Sequence, residues 1–162
     1  MRKIKFRAWC KNLKRIVHVR TIEYIEDYDR SKMIIFRRLE SVAIRYNNED
    51  DCIQDEYRDS KSVELMQFTG LLDKNGEEIF EGDILEIKNY EKGFGWTTRK
   101  AFVFFEDGCF KIDNNNYWNP LVAHVTDYKG STAKVIGNIY ENPELIKDGM
   151  LDYVRSNGIL RP

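Results

Sequence analysis

The residues of this chain able to do chemistry are its carboxylates, three cysteines, two histidines and a set of aromatics lying beside cations. Glu81 and Asp83 flank Gly82, where acid/base work or a divalent ion has oxygens to draw on. A tight turn explains the same pair: Asp83 bonds neighbouring amides and Glu81 faces solvent. The turn is the reading adopted. A zinc site needs His18 and His124 to converge with Cys10, Cys52 or Cys109, and no ligand spacing supports that. His124, set among Val122, Ala123 and Val125, reads as a hydrogen-bonded, partly buried ring. A nucleophilic cysteine with a histidine base exists in the inventory alone, with no local signature to position it. Gly93-Phe94-Gly95 lacks the third glycine and the Lys-Ser/Thr ending of a phosphate loop, and reads as a hairpin tip. No catalytic residue, metal ligand or cofactor is assigned, and the chain is expected not to be an enzyme. A small hydrolase is the weakest alternative, since it rests on unplaced carboxylates and thiols.

Binding chemistry is better represented. Residues 90–96 (YEKGFGW) and 114–120 (NNNYWNP) put aromatics on loops near Lys92, Arg99, Lys100 and Lys111. Bases stack on aromatic faces and phosphates seek cations, so such stretches suit nucleic acid. The candidate nucleic-acid or partner-binding set is Lys3, Lys5, Arg7, Lys92, Phe94, Trp96, Arg99, Lys100, Lys111, Tyr117 and Trp118. Trp and Tyr also anchor protein contacts, which keeps a protein-interaction or homo-oligomeric module as the alternative. The plainest outcome is that Trp96 and Trp118 fold back over the core, and that Lys3, Lys5 and Arg7 form a solvated strand face that deters edge pairing.

The elements that must position these residues read as strands. Ile4, Phe6 and Ala8 alternate with Lys3, Lys5 and Arg7, and a turn at Asn12 and Lys14 leads into the β-rich stretch 16–25, making a hairpin. Residues 31–46 fit short strands or a helical stripe, and strands are preferred. The polar stretch 47–62 reads as a mobile loop or short surface helix. Turns at 73–76, 81–83 and 107–108 then punctuate short strands, and 99–106, apolar on both faces, should be a central strand. Gly137 within the last strand marks a bulge or the close approach of another backbone. Asn142-Pro143-Glu144 signals the start of a short helix.

At 162 residues the chain can bury a core without disulfides, and an odd number of widely spaced cysteines suggests reduced thiols. No apolar run approaches a membrane span, and the basic start MRKIKFRAWC lacks the apolar stretch of a cleaved signal. Cytoplasm is the expected location. The formal net charge of -1 hides eight cations and no acid in residues 1–20 against six acids and one cation in 47–59. A pI near 6.2 lacks the excess of a dedicated DNA binder unless charges segregate on the surface.

Three stretches, KFRAW at 5–9, LMQFTGLLDKNGEEIFEGDIL at 65–85 and VIGNIYENPEL at 135–145, resemble the YopX family of bacteriophage and prophage proteins. Cys10 departs from that pattern, which commonly has an acidic residue after FRAW. The resemblance implies an all-β fold, an SH3-like barrel over about 62–145, a phage or prophage origin in a bacterial host, and no particular activity. The turn glycines account for the motif as fold specification. The expected whole is an all-β N-terminal hairpin or sheet subdomain (1–61, with an acidic loop), the barrel (62–145) and a helical tail (146–162).

Overall fold

A computed structural model describes residues 4–29, 34–47, 53–91, 93–114, 117–122 and 132–146. It is all-β, with two antiparallel sheets, and divides into two units, Lys5–Met66 and a second made of 1–4 and 67–162. The division falls inside one strand, five residues beyond the 61/62 boundary read from the sequence.

In the N-terminal unit, β1 (Phe6–Cys10), β2 (Arg15–Asp29), β3 (Ile34–Asn47) and β4 (Ile53–Asp59) lie in the order β4-β3-β2-β1, followed by the start of β5 (Val63–Leu72). The β1–β2 hairpin reverses through residues 11–14 with Lys14 at φ 50°. Period two sends Ala8 and Cys10 inward onto Val17, Ile44 and Val63, with Leu13, Val19 and Leu65 packed around them. Residues 34–47 are strand, as preferred. The loop or helix expected over 47–62 is corrected: Ile53–Asp59 forms β4, paired with β3 from Ser41↔Asp59 to Asn47↔Ile53. β4 is the last strand of its sheet, and a strand laddered on one side only tolerates the polar, charged sequence that obscured it.

In the second unit, β6 (Glu78–Phe80) pairs with the end of β5 across the 73–76 turn, where the Gly76 N–H donates to the Asp73 carbonyl at 3.0 Å. A five-stranded sheet follows in the order β10-β9-β8-β7-β11, built from β7 (Asp83–Glu91), β8 (Gly95–Glu106), β9 (Cys109–Asn114), β10 (Tyr117–Pro120) and β11 (Thr132–Asn138). β8 is central, as its two-sided apolar pattern requires, with Ala101 to Phe104 at most 1% exposed. Asp107 and Gly108, at φ 49° and 77°, close β8 onto β9. The sheet is open where a closed SH3-like barrel was expected: among the described residues no ladder joins β10 to β11.

Two apolar clusters lie on this unit. Ile79, Leu85, Ile87, Ala101, Val103, Ile112, Leu121 and Ala133 form one. Ile84, Phe102 and Phe104 form the other with Ile139 and Ile146. The segment supplying Ile139 and Ile146 is held by Asn138, whose Oδ1 accepts the N–H groups of Tyr140 and Glu141 at 3.0 and 2.9 Å. Where Asn142-Pro143-Glu144 was expected to start a helix, the described residues form a single 3-10 turn, Pro143–Leu145, followed by Ile146 in extended conformation, and the helical tail expected over 146–162 lies outside the described residues from 147 on. Asn142 does not cap the turn, because its Oδ1 accepts the Asn138 N–H at 3.3 Å. At Gly137 the bulge read from it is present, with the register shifting between Val135 and Gly137, while the close neighbour is the Asn142 side chain rather than another backbone, and a Cβ there would overlap it.

Candidate nucleic-acid interface

Period two in β7 separates Leu85 and Ile87, fully buried, from Glu86, Lys88 and Tyr90 on the opposite face. The ladders extend that outer face across three strands. Tyr90 faces Trp96; Lys88 lies between Thr98 and Thr132; Glu86 lies between Lys100 and Lys134. One further step brings Ile84 opposite Phe102, inside the second apolar cluster. The outer face is thus roofed at one end by the Ile139–Ile146 segment and open at the other.

The open end carries aromatics on a hairpin tip. Gly93 and Gly95 take φ of 95° and 82°, the left-handed conformations that let the chain reverse between Glu91 and Gly95. Phe94 at the tip is 85% exposed, Trp96 66% and Tyr90 57%. The Tyr90 and Trp96 rings meet edge to face, with centroids 5.6 Å apart. That contact orients both rings and leaves their outer surfaces in water. Lys88, Lys100 and Lys134 are exposed on the same face, and none makes an ion pair with a described residue.

The residues proposed from sequence separate. Phe94 and Trp96 lie at the open end, and Lys100 lies two rows further along the same face of β8, beside the roofed Phe102 row. Arg99, half-buried, lies on the opposite face, paired with Ile87. Lys111 is not a free cation: its Nζ contacts Glu106 Oε2 at 3.1 Å and Asp107 Oδ2 at 2.5 Å. The hydrogen bond to Asp107, aided by Glu106, holds the Lys111 pKa above its ordinary value. Tyr117 and Trp118 belong to β10, opposite Asn114 and Asp113 of β9. Lys5 and Arg7 belong to the N-terminal unit, where the Arg7 guanidinium is half-buried and its Nη2 lies 3.7 Å from Met66 Sδ. Lys11 there pairs with Glu64 at 2.8 Å. Lys3 and Lys92 lie outside the described residues.

Sequence reasoning missed Lys88 and Lys134, and left Tyr90 out of the set. The alternation of Leu85 and Ile87 with Lys88 and Tyr90 carried the signal for two of them. Lys134 reaches the face only through the long-range β7–β11 pairing.

The carboxylates beside the turn glycines accept backbone N–H groups. Asp83 is buried and its Oδ2 accepts the Phe80 N–H at 2.7 Å, which is the turn role expected. Glu81 does not face solvent as expected: burial pushes its pKa up, against the lowering effect of the Gln67 and Phe105 backbone N–H groups. Asp73, also buried, caps the 73–77 turn through the N–H groups of Asn75 and Glu77 and reaches across to Val135 N–H at 3.0 Å. Cys10 is buried in the N-terminal core, and Cys109 Sγ lies 3.6 Å from the Glu106 carbonyl in the β8–β9 turn. Among the described residues, no three His, Cys, Asp or Glu side chains gather as a metal site, and no helix is long and apolar enough to cross a membrane. His124 and Cys52 lie outside the described residues.

The sequence pattern of the YopX family, described as YopX protein, matches residues 5–147, and the chain belongs to that family. The matched span contains every residue of the open face. Among solved structures, the chain is similar to protein EF1440 from Enterococcus faecalis, at 25% identity and a TM-score of 0.56, over 91% of this chain and 100% of that one. No curated protein matches the chain.

Proposed function

We propose that this chain is a non-catalytic accessory protein of a phage or prophage, working in the cytoplasm of the bacterial host, that binds nucleic acid. The observation that carries this reading is the outer face of the five-stranded sheet, where exposed Tyr90, Phe94 and Trp96 at the open end are followed by Lys88 in the next row and by Lys100 and Lys134 in the row after. Aromatic faces and cations on one surface supply stacking and phosphate neutralisation together. A net charge of -1 does not oppose this, because attraction depends on how charge segregates, and this face has three lysines to one glutamate. The carboxylates fixed by backbone N–H groups support a structural role for the acids.

Titrating fluorescent oligonucleotides, single-stranded and duplex, at several salt concentrations tests the proposal. Binding that weakens linearly in log-log form as salt rises is expected; no binding of either at low salt overturns it. The alternative, a protein-binding or self-associating module, draws on the same exposed Phe94 and Trp96, which suit protein anchors. It requires a stable oligomer or a protein complex that persists at high salt.

A further inference from the structure

Resting on the nucleic-acid reading above, we infer that the open face is a single-strand platform: bases stack on Trp96 and Tyr90 while the phosphates pass over Lys88 and the Lys100–Lys134 pair.

Rows of outward side chains on a sheet repeat every two residues, about 6.8 Å along the strands. Here the first row is aromatic (Tyr90, Trp96), the second has one central cation (Lys88), and the third has a cation on each flank (Lys100, Lys134) around Glu86. An unpaired strand crossing the rows meets ring faces at one end and ammonium groups in the next two steps. A duplex cannot use the aromatic row, since its bases are already stacked internally and only phosphates and groove edges face outward. Three large aromatics more than half exposed at one hairpin are therefore matched to splayed bases.

Order along the face supplies the second observation. The roof from Ile139 to Ile146 covers Ile84, Phe102 and Phe104, the last rows of the same surface, whereas Lys88, Lys100 and Lys134 are exposed. A bound strand thus has an apolar wall behind the cations and open solvent beyond the aromatic tip. Glu86 lies between two of the phosphate-seeking lysines, where its charge opposes a polyanion. It is the one feature of the face that weakens binding, and so offers a variant that gains affinity.

Anisotropy titrations with a labelled oligothymidine and a blunt duplex of equal length test the inference. The single strand should bind more tightly. Trp96→Ala should weaken single-strand binding roughly 5- to 100-fold, with Trp96→Phe restoring much of it because a ring face returns. Replacing Lys88, Lys100 and Lys134 with Gln should flatten the single-strand salt slope by about 2, at ~0.7 per cation. Glu86→Gln should tighten binding, a gain that misfolding cannot mimic. All the altered side chains except half-exposed Glu86 are exposed, so unchanged melting curves would show that the fold is intact. If the duplex binds as well as the single strand and Trp96→Ala changes neither, the platform is overturned while nucleic-acid binding stands. Binding that survives every variant also overturns it, by placing the site elsewhere. If neither oligonucleotide binds at low salt, this inference and the nucleic-acid reading fall together.

Discussion

The two ends of one sheet face carry the same kind of residue with opposite fates. Phe102 and Phe104 on β8 are at most 1% exposed, whereas Trp96 on the same strand and the same side is 66% exposed. Nothing in the local alternation separates them. The difference is the segment from Ile139 to Ile146, which packs over Phe102 and Phe104 while Trp96 stays in water. The roofed end holds the unit together. The open end contributes little to stability, and its exposed aromatics are left for a ligand.

That contrast is broken most forcefully at the roofed end. Phe102→Ala should cost about 3–5 kcal/mol, since the ring is fully buried and the neighbouring strand cannot collapse into the gap. Urea unfolding measures it, and a loss no larger than that of Trp96→Ala would erase the distinction. Asp73→Ala comes next, on the order of 3 kcal/mol, because it strips an acceptor from three backbone N–H groups. Gly137→Ala should cost about 2–3 kcal/mol by combining an unfavourable φ of 155° with displacement of Asn142, whose side chain ties the roof segment back to the Asn138 N–H. A thermal melt matching wild type would show that the close approach is dispensable.

Smaller effects follow from two acids, buried Asp73 and half-buried Glu81, whose signs oppose. Burial would raise the Asp73 pKa, but the N–H groups of Glu77, Val135 and Asn75 outweigh it and the folded value lies below the ordinary 3.8. Its stabilisation is therefore present above that ordinary value and is lost as pH falls through the lower folded one. Glu81 has a folded pKa above the ordinary 4.5, mainly through burial, so its contribution is present below 4.5 and is lost as pH rises through the folded value. Glu81→Gln should consequently raise stability at neutral pH, and melts between about pH 3 and pH 8 would show wild type and variant converging in acid. Trp96→Ala is the smallest expected change in stability, within about 0.5 kcal/mol, as for an exposed side chain away from the core.

Much of the fold was legible because turns and alternation are local. Asn75-Gly76, Asp107-Gly108 and Gly137 each mark a feature found where their backbone demands placed it. β4 was not legible, since its sequence is mostly polar and charged and shows no apolar alternation to read. Barrel closure was not legible either, because it depends on whether β10 and β11 meet.

Of the candidate site, Phe94, Trp96 and Lys100 could be read as neighbours on one hairpin. Lys111 could not be dismissed without seeing Glu106 and Asp107 turn toward it. The sequence by itself determined which side chains of each strand share a face, because period two follows from extended backbone geometry alone. Which faces came together, which cations were neutralised and which aromatics were roofed were decided by pairings across dozens of residues, such as Lys134 with Glu86. Those pairings are selected by the burial of whole strands at once, and no local stretch encodes that energy.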